Sequence, residues 1–261
     1  MEPNTLFSSP ADFTLEGKHI IVTGGGRGLG QSIALSAINA GAHVTVIARS
    51  ADQLEDTVNL SQPLPGTCSA QTADISQADS LGALIDEVES DRPIDGVVHA
   101  AGTQLRKPAI DVEVDEWRKL QAINMDAPYF LSTAVARYQI AAGRNGSHVF
   151  IGSLNSTIGL PRVSPYAASK TALLGMARVM STEWSASGIR SNVVGPGYFH
   201  TKMTDDLFTD PAARDRVLSR IPSGHLGEPR DVGALTVFLL SNAASYITGQ
   251  LFNVDGGWLA S

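Results

Sequence analysis

The chain has a single cysteine, Cys68, among its 261 residues. One thiol cannot form a disulfide within the chain or a cysteine-based metal site, and it fits a reducing compartment. No stretch of about 18 consecutive apolar residues occurs, so no membrane-spanning helix is expected. Residues 1–15 lack a basic start followed by an apolar run, so a secretory signal is not expected either. Positive charge is in deficit: 19 Lys and Arg stand against 26 Asp and Glu, a formal charge of −7. That sign argues against a nucleic-acid partner. None of the six histidines stands in H-E-x-x-H or another zinc spacing, and no G-x-S-x-G elbow of a serine hydrolase occurs. The expectation is a soluble cytoplasmic protein without a metal, a membrane or a nucleic acid.

What is present is a large apolar complement, 43% of residues, with 17% charged, enough for a sizeable core. Residues 1–16 read as a loose leader with Pro3 and Pro10. Beyond them short apolar runs alternate with helical patterns. Strands are expected over Lys18–Thr23, Val44–Ala48, Thr67–Ala73, Asp95–Ala100, Ser147–Gly152, Ser191–Val194 and Leu251–Val254. Helices are expected after the glycines at 24–30, over Ala51–Leu60, Leu81–Val88, Val114–Ile123, Tyr129–Ala142, Pro165–Trp184 and Pro229–Leu240. Tyr198–Arg220 reads as a polar, mixed stretch. With no internal repeat or linker, residues 17–261 make one doubly wound α/β domain, a parallel sheet of about seven strands with helices on both faces.

Two patterns carry chemistry. Tyr166 and Lys170 lie four residues apart and so stack on one helix face. A phenol has a pKa of about 10, and a neighbouring ammonium favours its ionised form. Such a tyrosine can move a proton to or from an alcohol or carbonyl oxygen. The same spacing is also what an ordinary helix face shows. The second pattern is Thr23-Gly24 through Gly28 and Gly30, a strand running into a glycine turn that opens a helix. Glycines admit close backbone approach, and the helix start favours phosphate, so a dinucleotide site competes here with a plain tight turn. The next strand ends in Ala48-Arg49-Ser50 with no acid to meet a ribose 2′-hydroxyl, and Arg27 adds a second cation. NADP(H) is favoured on that ground, with NAD(H) as the alternative.

These segments in this order resemble the short-chain dehydrogenase/reductase family over Gly17–Trp258, which implies a Rossmann fold. Thr23–Gly30 is similar to the family's Thr-Gly-x-x-x-Gly-x-Gly turn, and Asp74-Ile75 to its adenine-side pair. His99-Ala100-Ala101-Gly102 stands where Asn-Asn-Ala-Gly is usual. Asn124, Ser153, Tyr166 and Lys170 match the catalytic set, with the serine thirteen residues before the tyrosine. Pro196, Gly197, Phe199 and Thr201 fall in the segment near the nicotinamide. The resemblance implies a cofactor site on Gly24, Arg27, Gly28, Leu29, Gly30, Arg49, Asp74, Ile75, Ala101, Gly102, Tyr166, Lys170 and that segment. It implies Tyr166 as general acid and base, Lys170 lowering its pKa and bonding the nicotinamide ribose, Ser153 on the substrate oxygen, and Asn124 holding a water that leads to Lys170. His99 is either a buried core histidine or a weak cofactor contact.

The substrate is read from the runs 101–108, Arg220–Gly224 and Val254–Leu259, which resemble the sugar-acid branch of gluconate 5-dehydrogenases and 2-deoxygluconate 3-dehydrogenases. Gln104, Arg106, Asn155, Arg162 and His200, with Ser153 and Tyr166, are the substrate candidates; Arg106 is either a carboxylate partner or a surface charge or subunit contact. An acyl-carrier-protein-dependent 3-oxoacyl reductase is the second enzyme reading, and a non-catalytic NADP(H) sensor is the reading from another class. Phe130, Leu131, Ala134, Val135, Ala168, Leu173, Leu174, Met176 and Val179 offer more apolar surface than one buried face needs. The resemblance implies a homotetramer through those helices.

Overall fold

The computed structural model describes residues 8–199 and 211–260. Seven strands form one parallel sheet: β1 (His19–Thr23), β2 (His43–Ala48), β3 (Thr67–Thr72), β4 (Gly96–His99), β5 (Gly146–Ile151), β6 (Ile189–Pro196) and β7 (Leu251–Val254). Their order is β3-β2-β1-β4-β5-β6-β7. The helices are α1 (Gly28–Asn39), α2 (Ala51–Ser61), α3 (Leu81–Asp91), α4 (Val114–Gln121), α5 (Ala127–Ala141), α6 (Ser164–Trp184), α7 (Pro211–Leu218) and α8 (Pro229–Leu240).

The strands are short apolar runs because both sheet faces are covered. Alternate residues serve opposite layers. Ile20, Val22, Val98, Val149 and Ile151 pack with α1 and α8, whereas Ile21, Val97 and Phe150 face α3, α5 and α6. Strand order reverses between β1 and β4, which pair with Thr23 opposite His99. The loops leaving their carboxyl ends part there, as at the ligand crevice of open α/β sheets.

The expected elements are all present, with three differences. Leu15, within the expected leader, is fully buried, its N–H donating to Ala40 O at 2.8 Å, and Phe13 stacks on Phe238. The packed body therefore starts before Gly17. The helix expected through Ile123 gives way at Ala122–Asp126 to one wide π turn. The stretch read as mixed contains α7. Among the described residues, no helix is long and apolar enough to cross a membrane.

Candidate active site

The first wall of the crevice is the glycine turn. Gly24 has φ +71°, and a Cβ there would lie 2.7 Å from Ala101 Cα, so the β1 and β4 loops touch. Gly28 also has positive φ, at +58°. Gly30 is buried against the Gly24 carbonyl with no room for a side chain. Arg27 is the N-cap of α1 and supplies no side-chain cap, which leaves the first-turn N–H groups of Gly28, Leu29 and Gly30 for an anion. A pyrophosphate fits this cradle. Arg49 is exposed at the end of β2, and its charge reaches Asp74. The Asp74 carboxyl is held below the usual range, chiefly by the Ser76 N–H, which donates at 3.0 Å. Ile75 is buried in the core. Across the crevice, Gly197 donates its N–H to Val254 O at 2.8 Å and sits against Asp255, beside Pro196. The Phe199 side chain is buried in the α1–α8 layer. Thr201 and His200 lie outside the described residues.

The second wall brings the expected catalytic set together. Lys170 is buried on α6, its ammonium 5.6 Å from the Tyr166 ring centroid and 2.7 Å from Ile151 O, to which it donates. A Cβ at Gly102 would lie 3.6 Å from Lys170 Nζ, which places the β4 loop directly over the ammonium. Asn124, at the centre of the π turn, is fully buried. Its Oδ1 accepts the Thr103 N–H at 2.8 Å, and its Nδ2 donates to Thr103 O at 2.9 Å and to Ser169 Oγ at 3.1 Å. It thus fastens the β4 loop to the helix that carries Tyr166 and Lys170.

Ser153 follows β5 and caps a short turn, Leu154–Ser156. That turn is bolted to α6: Ser156 Oγ donates to Lys170 O at 2.8 Å and Thr171 Oγ1 to Asn155 O at 3.1 Å. The Ser153 hydroxyl lies near enough to the Tyr166 phenol to favour its ionised form. Electrostatics depart from the expectation here. Burial raises the Tyr166 phenol, while the Ser153 bond and then the Arg106 charge pull it back. Burial, and not Lys170, sets the direction at Tyr166, and burial also draws Lys170 itself down to about 8. A desolvated ammonium is a readier proton donor.

Arg106, exposed beyond β4, bonds Gln104 Oε1 at 3.2 Å, and its charge reaches both Tyr166 and Tyr198. Arg162 has φ 66°, and its carbonyl accepts the Lys107 N–H at 2.8 Å, joining the loops on either side of the pocket. Asn155 is nearly buried, with its amide on Ser153. His99 is a core residue: its Nε2 meets Ser132 Oγ at 2.7 Å, its ring stacks on Phe150, and burial pushes the imidazole well below its usual range. Sequence reasoning missed the cluster at the pocket's far side, where Arg220 lies 4.4 Å over the Trp258 ring and Tyr198 packs at 4.8 Å. Tyr198 and Trp258 share a small core with Leu154, next to Ser153. The only sequence signal was the place of Arg220 and Trp258 in two segments already similar to the sugar-acid branch.

A family model described as enoyl-(acyl carrier protein) reductase matches residues 24–259. A 2-dehydro-3-deoxy-D-gluconate 5-dehydrogenase of Pseudoalteromonas atlantica is 38% identical over 249 residues, 95% of this chain and 98% of the relative. A galactitol 2-dehydrogenase (L-tagatose-forming) of Cereibacter sphaeroides is 34% identical over 249 residues, 94% of this chain and 96% of the relative. The crystal structure of a gluconate 5-dehydrogenase from Burkholderia cenocepacia, in complex with NADP and tartrate, superposes with a TM-score of 0.91 at 32% identity, covering 96% of this chain and 98% of that one. The chain belongs to the short-chain dehydrogenase/reductase family and is an NAD(P)-dependent oxidoreductase.

Proposed function

We propose that this enzyme interconverts a secondary alcohol and a ketone on a sugar acid or polyol such as gluconate and 5-ketogluconate, using NADP(H). The observation that carries the reading is the joining of Ser153, Tyr166 and Lys170 beneath an exposed arginine, Arg106, whose charge reaches the Tyr166 phenol. Among the described residues the ion pairs are Lys107–Glu116, Arg144–Glu89 and Arg230–Glu228. Arg106 bonds only a neutral amide in that set, which suits it to a substrate carboxylate. The names of the sugar-acid relatives and the NADP in the Burkholderia structure support the same reading.

The dinucleotide, when bound, supplies or accepts the hydride. Gly24–Gly30 would hold its pyrophosphate, Arg49 and Arg27 its 2′-phosphate, and Lys170 the ribose of its nicotinamide half. Proton steps fall to the chain. Tyr166, kept protonated at neutral pH by burial, gives its proton to the carbonyl oxygen as a ketone is reduced and takes it back in the reverse direction. Ser153 donates to the same oxygen and steadies its developing charge. Lys170, near 8, restores the proton. Asn124 fixes the loop over Lys170.

The test is a nicotinamide absorbance assay with D-gluconate and 5-ketogluconate and both cofactors. Turnover with NADP(H) that disappears in Tyr166→Phe, and a rise in KM for gluconate but not for galactitol in Arg106→Gln, are expected. Sugar acids that stay inert while an acetoacetyl thioester is reduced would overturn the substrate reading. We also infer a homotetramer, because Tyr129, Phe130, Ile140 and Val179 leave an exposed apolar face on α5 and α6. Leu131, Ala134, Val135 and Leu173, expected to share that face, are buried within the subunit.

A further inference from the structure

We propose that Asn155 is a positioning residue that fixes the Ser153 hydroxyl as a donor, to the Tyr166 oxygen in the free protein and to the substrate oxygen once substrate is bound. The inference rests on the reading of Tyr166 as the proton-transferring group.

A serine oxygen has one O–H and two lone pairs. Both lone pairs of Ser153 are addressed by one residue, the Asn155 backbone N–H at 3.2 Å and its Nδ2 at 3.4 Å. The O–H is then all that Ser153 has left to offer. Asn155 is 6% exposed, and its backbone carbonyl accepts from Thr171 on α6, so burial keeps the side-chain amide from solvent and α6 anchors the turn. Its Oδ1 is buried with no hydrogen-bond partner among the described residues. A buried orphan carbonyl is unfavourable. The reversed amide would relieve it by accepting the Ser153 proton, and would thereby withdraw that proton from Tyr166. The observed orientation leaves that proton free for the phenol.

Direction decides the sign of the effect. As a donor, Ser153 favours the phenolate; as an acceptor, it favours the protonated phenol. A serine released from Asn155 can adopt either role, so the Tyr166 pKa must rise.

The experiment labels the protein with 3-fluorotyrosine, whose ring fluorine acidifies the phenol and reports its ionisation by NMR. The chain has five tyrosines, and the resonance missing from Tyr166→Phe identifies the one required. Titration is compared in the parent protein, Asn155→Leu, Ser153→Ala and the double variant. Asn155→Leu should raise the Tyr166 pKa by about half a unit or more, the size expected for a weakened hydrogen bond to the charged form. It should have no further effect once Ser153 is alanine. A fall in pKa would show the amide reversed and overturn the proposal. An unchanged pKa, or a rise that persists in the Ser153→Ala background, would overturn it too, because packing alone would then be at work. Should the leucine variant fail to fold, isosteric Asn155→Asp, whose carboxylate takes the serine proton, should give a rise that is larger with Ser153 than with alanine; an equal rise in both backgrounds overturns the proposal. The titration needs no turnover, so inert sugar acids would sink the substrate reading and leave this result standing.

Discussion

Lys170 lies in a place unfavourable to a charge, and this has a measurable thermodynamic signature. Burial moves its pKa from 10.5 to about 8. Between those values the unfolded chain holds a proton that the folded protein has released, so stability rises with pH across the window. At about 1.4 kcal/mol per pH unit, the full rise is about 3 kcal/mol. Lys170→Met removes it. The variant also loses the bond from Nζ to Ile151 O, a loss of about 1–3 kcal/mol that shifts its stability at every pH. The informative quantity is therefore the change with pH in the difference between the two proteins. Calorimetry of cofactor-free protein at pH values of about 7.5 and 10.5 should show the parent gaining on the variant by about 2–3 kcal/mol, or roughly 5–10 °C in Tm at this size. A Tm difference that stays constant would refute the reasoning, since Lys170 would then not titrate in that window.

Three further outcomes follow from the geometry. Arg49→Glu should weaken NADPH binding by roughly 10–100-fold, the worth of one charged hydrogen bond, and spare or improve NADH; fluorescence titration with both cofactors checks this, and equal losses for the two would remove Arg49 from the 2′-phosphate site. Gly24→Ala combines a left-handed φ of +71° with a Cβ 2.7 Å from Ala101 Cα and should lower stability by about 2–5 kcal/mol. Gly28→Ala, at φ +58° with nothing within 4 Å, should lower it by only about 1–2 kcal/mol; urea melts that rank the pair the other way would contradict the crowding argument. If the proposed tetramer forms through α5 and α6, Phe130→Asp with Val179→Asp should lower the assembly's mass in light scattering while leaving the circular dichroism of the fold unchanged, and an unchanged mass would refute that contact.

Much of this architecture is legible in the sequence, because a sheet covered on both faces writes its strands as apolar runs. Ile20-Ile21-Val22 serves two layers at once, and no polar residue interrupts it. β3 is harder to see, since Thr67–Thr72 is an edge strand with exposed and half-buried residues. The glycine turn and the Tyr166–Lys170 pair were legible because chemistry fixes their spacing. The apolar surplus on α5 was not. Leu131 and Val135 are consumed by the α3 side of the core, and only the three-dimensional packing separates them from Phe130. The direction of the Tyr166 shift was likewise hidden, because charge is printed in a sequence and desolvation is not. Asn155 gave no signal of its orientation, which depends on where the turn after Ser153 is pinned to α6.

The wide turn at Ala122–Asp126 means that α4 and α5 do not share one helical register. On a regular helix each residue advances the face by about 100°. A π turn is equivalent to one inserted residue, and it offsets everything beyond it by that angle. Asn124 can then point at Thr103 and Ser169 while Leu131 and Val135 still face the sheet. Deleting a single residue from this turn would restore a regular helix and force a choice between the two. The interruption works as a gear offset that lets one continuous rod obey both the core and the site, and a family tolerant of substitutions along these helices should be intolerant of a change in their length.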